Sequence, residues 1–135
     1  MGCTNMKNEH LDKHPLDKSE VRKLTLDNGV KAYLLSNPDF NVSAASMVVE
    51  VGSLENPSNR EGLAHFLEHM LFLGTEKYPD VDEYSTYLKT YGGYSNAYTA
   101  GDHTNYQLQV LPDGFEGALD RFAQFFISPL FTAEY

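Results

Sequence analysis

The sequence has few cysteines, few basic residues and no long apolar run, and each shortage excludes a class of protein. Cys3 is the only cysteine in the 135 residues, so the chain cannot form an internal disulfide. Ten Lys and Arg stand against 19 Asp and Glu, which gives a formal net charge of −9 and a pI near 4.8. Phosphate binding requires clustered basic side chains, so we expect no nucleic-acid partner. No apolar stretch approaches the roughly 20 residues that span a bilayer, and we expect no transmembrane segment.

Two of the five histidines stand four residues apart, with a glutamate directly before the second one. In a helix that turns about 100° per residue, His65, Glu68 and His69 fall on one face. Neutral imidazoles are common zinc ligands, and a carboxylate beside the metal can act as a base. The pattern H-x-x-E-H is that of the inverted zinc-protease motif. It therefore predicts a metal site with an adjacent glutamate, and the alternative is a pair of structural or surface histidines.

The flanking residues predict that this motif lies in an α-helix. Apolar residues recur at helical spacing about 170° from the histidines, and we expect them to be the buried face. These residues are Leu63, Phe66, Leu67, Met70 and Leu71. Ser58 and Glu61 have the spacing of a capping box at the start of the helix, and Gly74 predicts its end.

The first 18 residues are rich in Lys, Asp, Asn and His, which predicts a flexible leader or linker over residues 1–18. His10 and His14 are also four residues apart, but they lack an intervening glutamate and are interpreted as solvated tail. Cys3 after Gly2 resembles the mature start of a bacterial lipoprotein. The compartment stays open between the bacterial periplasm, a lipoprotein anchored through Cys3, and the cytoplasm. A myristoylated Gly2 and a plain flexible terminus are the alternatives for this segment.

Residues 19–135 predict one α+β domain with the element order β-β-β-α-α-β-β-α. Segments 21–26 and 30–35 alternate apolar and polar residues on either side of a turn signal, which predicts a hairpin. Segment 43–51 is expected to be a third, buried strand. Segments 94–99 and 104–110 are predicted as two further strands.

Two more helices are predicted after the H-x-x-E-H segment. Asp80 and Glu83 are expected to cap the first of them, which carries Tyr84 and Leu88 and ends at the glycine pair 92–93. The second is expected to begin with a cap formed by the pair 113 and 116, and its apolar side chains are Phe115, Leu119, Phe122, Phe125 and Phe126.

Several motifs in a fixed order carry a family resemblance. They are GLAHFLEHMLFLGT at 62–75, KYP at 77–79, SNAYT at 95–99, HTNY at 103–106 and GALDRFAQFF at 117–126. From about Ser19 to the end of the chain, the sequence resembles the insulinase and pitrilysin-like zinc metallopeptidases, the inverzincins of peptidase family M16. The resemblance implies part of the N-terminal insulinase-like domain, ending before the domain does. That fold is a two-layer sandwich, an antiparallel-rich sheet with helices packed on one face.

The resemblance also implies an activity and a cofactor. The chain is expected to belong to a zinc-dependent metalloendopeptidase that hydrolyses peptides. His65 and His69 would bind zinc, and Glu68 would act as general base on the zinc-bound water. The family's third ligand is a downstream glutamate that we expect beyond Tyr135, so the isolated chain is expected to be incomplete. A C-terminal half, in the same longer protein or in a separate chain, is the expected partner besides peptide substrates.

Substrate binding is expected on the strand at 95–99. In related enzymes this strand lies at the edge of the sheet and pairs with the substrate, so Asn96 and Ala97 are the binding candidates by resemblance. An extended peptide that joins a sheet edge gains affinity from main-chain hydrogen bonds. The alternative is an ordinary paired strand without a ligand.

Two other functions stay open at this point. The first is a noncatalytic interaction module or pseudoenzyme of the same fold, which the missing third ligand favours. The second is a zinc-binding protein without chemistry, which predicts that a change at Glu68 leaves function untouched.

Overall fold

The computed structural model describes residues 13–132. These residues divide into two compact units, with the boundary between Phe40 and Asn41. Cys3 and His10 lie outside the described residues, as does most of the predicted leader. None of the helices in the described range has the length and apolar content that crossing a membrane requires.

The first unit contains the predicted hairpin. Strand β1 (Glu20–Thr25) pairs antiparallel with strand β2 (Lys31–Ser36). Between them, the Leu26 N–H donates to the Val30 carbonyl over 2.8 Å. Gly29 has a φ of 87°, a conformation that glycine adopts without steric cost. The hairpin prediction is therefore confirmed, and its turn depends on the glycine.

The second unit contains the remaining strands and all three α-helices. Its elements are β3 (Ser43–Val49), α1 (Leu63–Met70), α2 (Glu83–Thr90), β4 (Tyr94–Thr99), β5 (Thr104–Val110) and α3 (Phe115–Gln124). Together with β1 and β2, this order confirms the predicted one. The three strands of this unit form an antiparallel sheet in the order β3-β5-β4. Within residues 13–132, β5 is therefore central and β3 and β4 are edge strands.

The helices pack on one face of this sheet. Helices α1 and α2 contact β4, and α3 contacts β3. Every second side chain of β5 is buried in the core beneath the helices, namely Tyr106, Leu108 and Val110. The helices contribute Leu71, Tyr84, Leu88, Ala118, Phe122 and Phe125 to the same cluster. Burial of a leucine or valine side chain stabilises a fold by about 1.5–3 kcal/mol, so this one-sided core holds the sandwich together. The predicted α+β class is confirmed.

Strand β3 is less buried than predicted. It ends at Val49 instead of continuing to residue 51, and its side chains alternate between partly buried and exposed. The Val48 side chain is 55% exposed, whereas Ala45 and Met47 pack against the core. The physical reason is its edge position with one covered face, because a strand is apolar throughout only when both faces are covered. The prediction of a buried strand was therefore wrong.

The predicted side-chain caps of α2 and α3 are not formed. The N-cap of α2 is Asp82, which makes no capping bond through its side chain, and Asp80 accepts the Asp82 N–H over 3.0 Å. Glu83 instead forms a two-pronged ion pair with Arg121 of α3, with Nε to Oε1 at 2.8 Å and Nη2 to Oε1 at 2.6 Å. The N-cap of α3 is Gly114, and no side chain caps this helix. The acidic residue that would cap α2 is thus engaged by a tertiary partner.

Asp120 of α3 anchors the loop that precedes α2. Its carboxylate accepts a hydrogen bond from the Lys77 ammonium at 2.7 Å and another from the Tyr78 hydroxyl. The hydrogen bond from Lys77, followed by that from Tyr78, lowers the pKa of Asp120 below its ordinary value of 3.8. The folded state therefore binds fewer protons at this carboxyl than the unfolded chain does.

We expect this contact to make stability depend on pH in the acid range. The contribution of Asp120 is fully present above pH 3.8 and is lost as the pH falls through its lower folded pKa. Urea unfolding of wild type and of Asp120→Asn should therefore give midpoints that differ at neutral pH and converge as the pH falls below 3.8 through the lowered pKa of Asp120. Asp113→Asn, at an exposed carboxylate on the preceding turn, is the control. A midpoint difference that persists unchanged at the acid end would contradict this assignment.

Candidate metal centre

Helix α1, which carries the two histidines, starts later than the sequence predicts. Its N-cap is Gly62 with a φ of 84°, and no side chain of the predicted Ser58 and Glu61 box caps it. Instead, Asn56 reaches forward eight residues, and its Oδ1 accepts the Ala64 N–H over 2.9 Å. Asparagine satisfies a free N–H of the first turn as well as serine does. The start of α1 is therefore set by Asn56 of the preceding loop and not by the predicted capping box.

The end of α1 also differs from the prediction. The helix ends at Met70, and its cap residue Leu71 donates to the Leu67 carbonyl over 3.2 Å. Gly74 lies beyond this end, with a φ of 101°. A Cβ there would stand 2.8 Å from the Pro79 carbonyl oxygen, so the glycine permits a close backbone approach and does not end the helix.

We expect Asn56→Ala to destabilise the protein by about 1 kcal/mol, because the Ala64 N–H at the helix start loses its acceptor. The neighbouring Asn59→Ala is the matched control, since Asn59 is exposed and only its backbone carbonyl makes a contact. Chemical unfolding monitored by circular dichroism measures both changes. Equal stabilities for the two variants would show that the contact does not cap α1.

The buried face of α1 is not the apolar stripe that periodicity predicts. Leu63, Phe66 and Leu67 are 44–57% exposed, and only Met70 and Leu71 of the stripe are buried. The face that packs toward the sheet includes Glu68, which is 6% exposed. The spacing fixed the angles between side chains correctly, but it contains no information about which face meets the sheet. The glutamate of the motif therefore points into the fold, with the histidines at the border of its exposed side.

His65 and His69 converge through the same ring atoms. Their Nε2 atoms lie 3.0 Å apart, and the ring centroids are separated by 4.7 Å at an interplanar angle of 68°. Two nitrogens at about 2.0–2.1 Å from one tetrahedral zinc ion would be separated by about 3.3 Å. The observed separation is within a small side-chain rotation of that value. The predicted metal pair thus fits one zinc ion, and the exposed rings leave solvent access to it.

Glu68 lies between the histidines and the core. Its Oε2 accepts a hydrogen bond from the Thr99 hydroxyl at the end of β4 and lies 3.8 Å from Nδ1 of His65. Tyr106 of β5 is close behind it. Burial, and then the charge of Glu68, raises the pKa of Tyr106 to about 12, so this phenol stays neutral. The carboxylate of Glu68 is therefore held by Thr99 on the side that faces the sheet, and its other side faces the imidazole of His65.

A complete three-residue metal site is not formed within residues 13–132. No group of three or more His, Cys, Asp or Glu side chains in this range is arranged to hold a metal ion. Glu83, a glutamate downstream of the motif, is engaged by Arg121. The third ligand thus stays a prediction for a position outside the chain.

Asn96 and Ala97 lie in the middle of edge strand β4. They pair with Gln107 and Tyr106 of β5, and within the described residues no strand occupies the opposite edge of β4. Asn96 is exposed, whereas Ala97 packs against the core on the helix side. The structure thus provides the edge that the resemblance implies, and the role of these two residues in substrate binding stays a prediction.

Thr99 and Asn56 are the residues of this centre that sequence reasoning missed. One signal for Thr99 was available, because alternation in the predicted strand puts it on the same face as Ala97. Its contact with Glu68 joins positions 31 residues apart and could not be read from spacing. His103 also lies near the end of β4, but its Nδ1 is 2.7 Å from Asp102, and it takes no part in the histidine pair.

Comparison with known proteins gives a consistent set of relatives. Residues 31–135 match the sequence model of the family described as Insulinase (Peptidase family M16). The insulin-degrading enzyme of Homo sapiens is 55% identical over 122 residues, which are 90% of this chain and 12% of that enzyme. A protein of Schizosaccharomyces pombe whose name describes a zinc protease is 50% identical over 119 residues, which are 88% of this chain and 12% of that protein.

The fold is also similar to that of a solved structure. The crystal structure of pitrilysin superposes with a TM-score of 0.92 at 40% sequence identity, over 97% of this chain and 14% of the pitrilysin chain. The chain thus spans about an eighth of the length of the proteins it matches.

Proposed function

This chain belongs to peptidase family M16, the insulinase family, and we propose that it is the N-terminal portion of a zinc-dependent metalloendopeptidase that hydrolyses peptides. The observation that carries the proposal is the convergence of two imidazole Nε2 atoms to 3.0 Å on the helix that also carries the buried Glu68. The relatives are insulin-degrading enzymes and zinc proteases by name, which supports the same class of reaction.

Each residue of the motif has its own part in this proposal. His65 and His69 hold zinc as neutral imidazoles, through the nitrogens that face each other. Bound zinc lowers the pKa of water and polarises a peptide carbonyl. Glu68 accepts the proton of the attacking water and can return it to the leaving amine. Because its carboxylate is held from the sheet side, it needs little reorganisation to do so.

The substrate is proposed to bind along the free edge of β4. An extended peptide there would form main-chain hydrogen bonds with the strand at Asn96 and Ala97. The small side chain of Ala97 lets the peptide backbone approach closely, whereas the exposed Asn96 offers an amide for a further hydrogen bond. Recognition of this kind depends on peptide shape and length more than on one side chain.

We propose that residues 19–135 form the front of the domain and residues 1–18 a leader, with the third zinc ligand and a closing half in a further polypeptide segment. The relatives are about eight times longer than the matched region, which supports this. Two protein ligands bind zinc more weakly than three, so the isolated chain should turn over little substrate. Peptides and the missing half are therefore the proposed partners.

The second candidate is a noncatalytic interaction module of the same fold. The observation that favours it is the lack of a third acidic or histidine ligand beside the pair in the part of the chain that the structure describes. Such a module would keep the sandwich and the β4 edge without turning over the peptide that binds there.

Cleavage of a fluorogenic peptide distinguishes the two functions. The chain is assayed alone and together with the C-terminal remainder of the human insulin-degrading enzyme as a separate polypeptide, because the two proteins are 55% identical in the matched region. The enzyme proposal expects little cleavage by the chain alone and cleavage in the mixture that a chelator stops and added zinc restores. A mixture that associates and binds peptide without cleaving it would favour the interaction module.

A further inference from the structure

Among the described residues, the Thr99 hydroxyl is the hydrogen-bond donor to the buried carboxylate of Glu68. A carboxylate that is 6% exposed requires a hydrogen-bond partner, since an unpaired buried charge is costly. The Thr99 hydroxyl donates to Oε2, and the contact with His65 Nδ1 at 3.8 Å engages the same oxygen. The direction in which the carboxylate points is therefore set from the side of β4.

Thr99 lies at an end of the sheet that backbone hydrogen bonds hold in place. It is the last residue of β4, and the loop that follows is bound by the segment before α1: the Ser53 N–H donates to the Ala100 carbonyl over 2.9 Å and the Leu54 N–H to the Gly101 carbonyl over 2.8 Å. A Cβ at Gly52 would stand 2.5 Å from both carbonyl oxygens, so the two backbones are in direct contact. A hydroxyl whose backbone is held in this way keeps its hydrogen-bond partner in a fixed orientation.

From this geometry we propose that Thr99 is a positioning residue for Glu68, holding its carboxylate beside the histidine pair through the Oγ1 hydrogen bond. The functional part of the inference rests on the proposed role of Glu68 as general base. The contact also links that base to the substrate edge, because Thr99 is two residues from Ala97 on the same strand. One strand then fixes both the peptide backbone and the group that takes the proton of the attacking water.

The test compares hydroxyl removal with hydroxyl retention at this position. Thr99→Val keeps the shape and removes the donor, whereas Thr99→Ser keeps the donor. Thr90→Val is the matched control, because the Thr90 hydroxyl bonds only the Thr86 carbonyl inside α2. The chain is labelled with ¹³C at glutamate side-chain carboxyls, and the Glu68 resonance is assigned by its disappearance in Glu68→Gln.

We expect the Glu68 carboxyl resonance to move in Thr99→Val and to keep its wild-type position in Thr99→Ser and Thr90→Val. Zinc binding by calorimetry should stay close to that of wild type in all three, since both histidines are retained. In the mixture that cleaves peptide, kcat should fall about tenfold in Thr99→Val with KM unchanged, the loss expected for one hydrogen bond to a charged group.

An unmoved Glu68 resonance in Thr99→Val would overturn the inference, and so would a Thr99→Ser resonance that follows the Val variant. If the Val variant does not fold, Thr99→Ala against Thr99→Ser makes the same comparison at smaller side-chain size. Failure of the proposed function would show differently, as no cleavage by the wild-type mixture while the resonance still responds to the hydroxyl. If the Glu68 resonance moves in Thr99→Val but kcat equals that of wild type, the proposed contribution of Thr99 to catalysis is rejected.

Discussion

We expect Glu68→Gln to lower kcat/KM for peptide cleavage by about 10²–10⁴-fold, because a positioned general base contributes a factor of that size. The amide carbonyl of glutamine still accepts the Thr99 hydrogen bond, so the local structure is retained. The amide cannot take up the proton of the attacking water at neutral pH. The loss should therefore fall on kcat, with KM and zinc affinity nearly unchanged.

This result is measured with a fluorogenic peptide in the mixture that cleaves, alongside a zinc titration of the same samples. Glu61→Gln is the matched control, because Glu61 is an exposed glutamate just before α1. Its activity should equal that of wild type. Full activity in Glu68→Gln would exclude Glu68 as the base and would require another group to take up the proton of the attacking water.

His69→Ala is the second change with a large expected effect, a loss of zinc affinity of at least about a hundredfold. Removal of an outer partner of a metal ligand already costs about 10–100-fold in affinity, and removal of a ligand costs more. The remaining His65 would bind zinc as a single imidazole. Isothermal titration calorimetry with zinc measures the change, and thermal unfolding without zinc shows whether the variant is folded.

His103→Ala serves as the control for this change. His103 is a partly exposed histidine of the same unit, with Asp102 as its partner and no contact with the pair. Its removal should leave zinc affinity within about twofold of wild type, as expected for a surface site that does not share the ligands. Unchanged affinity in His69→Ala would show that the two Nε2 atoms do not share a metal ion.

The strands and helices could be predicted because each is encoded by local pattern. The predicted bounds of β4 and β5 are those of the structure to the residue, and alternation around the turn signal at 27–29 predicted the β1–β2 hairpin. The histidine pair was predictable for the same reason, since two residues four apart meet on any helix. Predicting this pair therefore requires no knowledge of the rest of the fold.

The caps and the buried face of α1 could not be predicted because they depend on partners distant in sequence. Glu83 pairs with Arg121 instead of capping α2, and Asn56 caps α1 in place of the expected box. The apolar spacing of α1 predicted the angles between its side chains, but it did not predict which face of the helix packs against β4. Glu68 contacts Thr99 because the face of α1 that carries Glu68 is the one that packs toward β4.

The central claim is that His65 and His69 bind one zinc ion together, and zinc X-ray absorption of the loaded chain tests it most directly. Extended fine structure from wild type should show two imidazoles with zinc–nitrogen distances of about 2.0–2.1 Å. The double variant His65→Ala with His69→Ala should lose the imidazole signal, whereas His103→Ala should keep it. A wild-type spectrum without imidazole, or one that the double variant reproduces, would contradict the account.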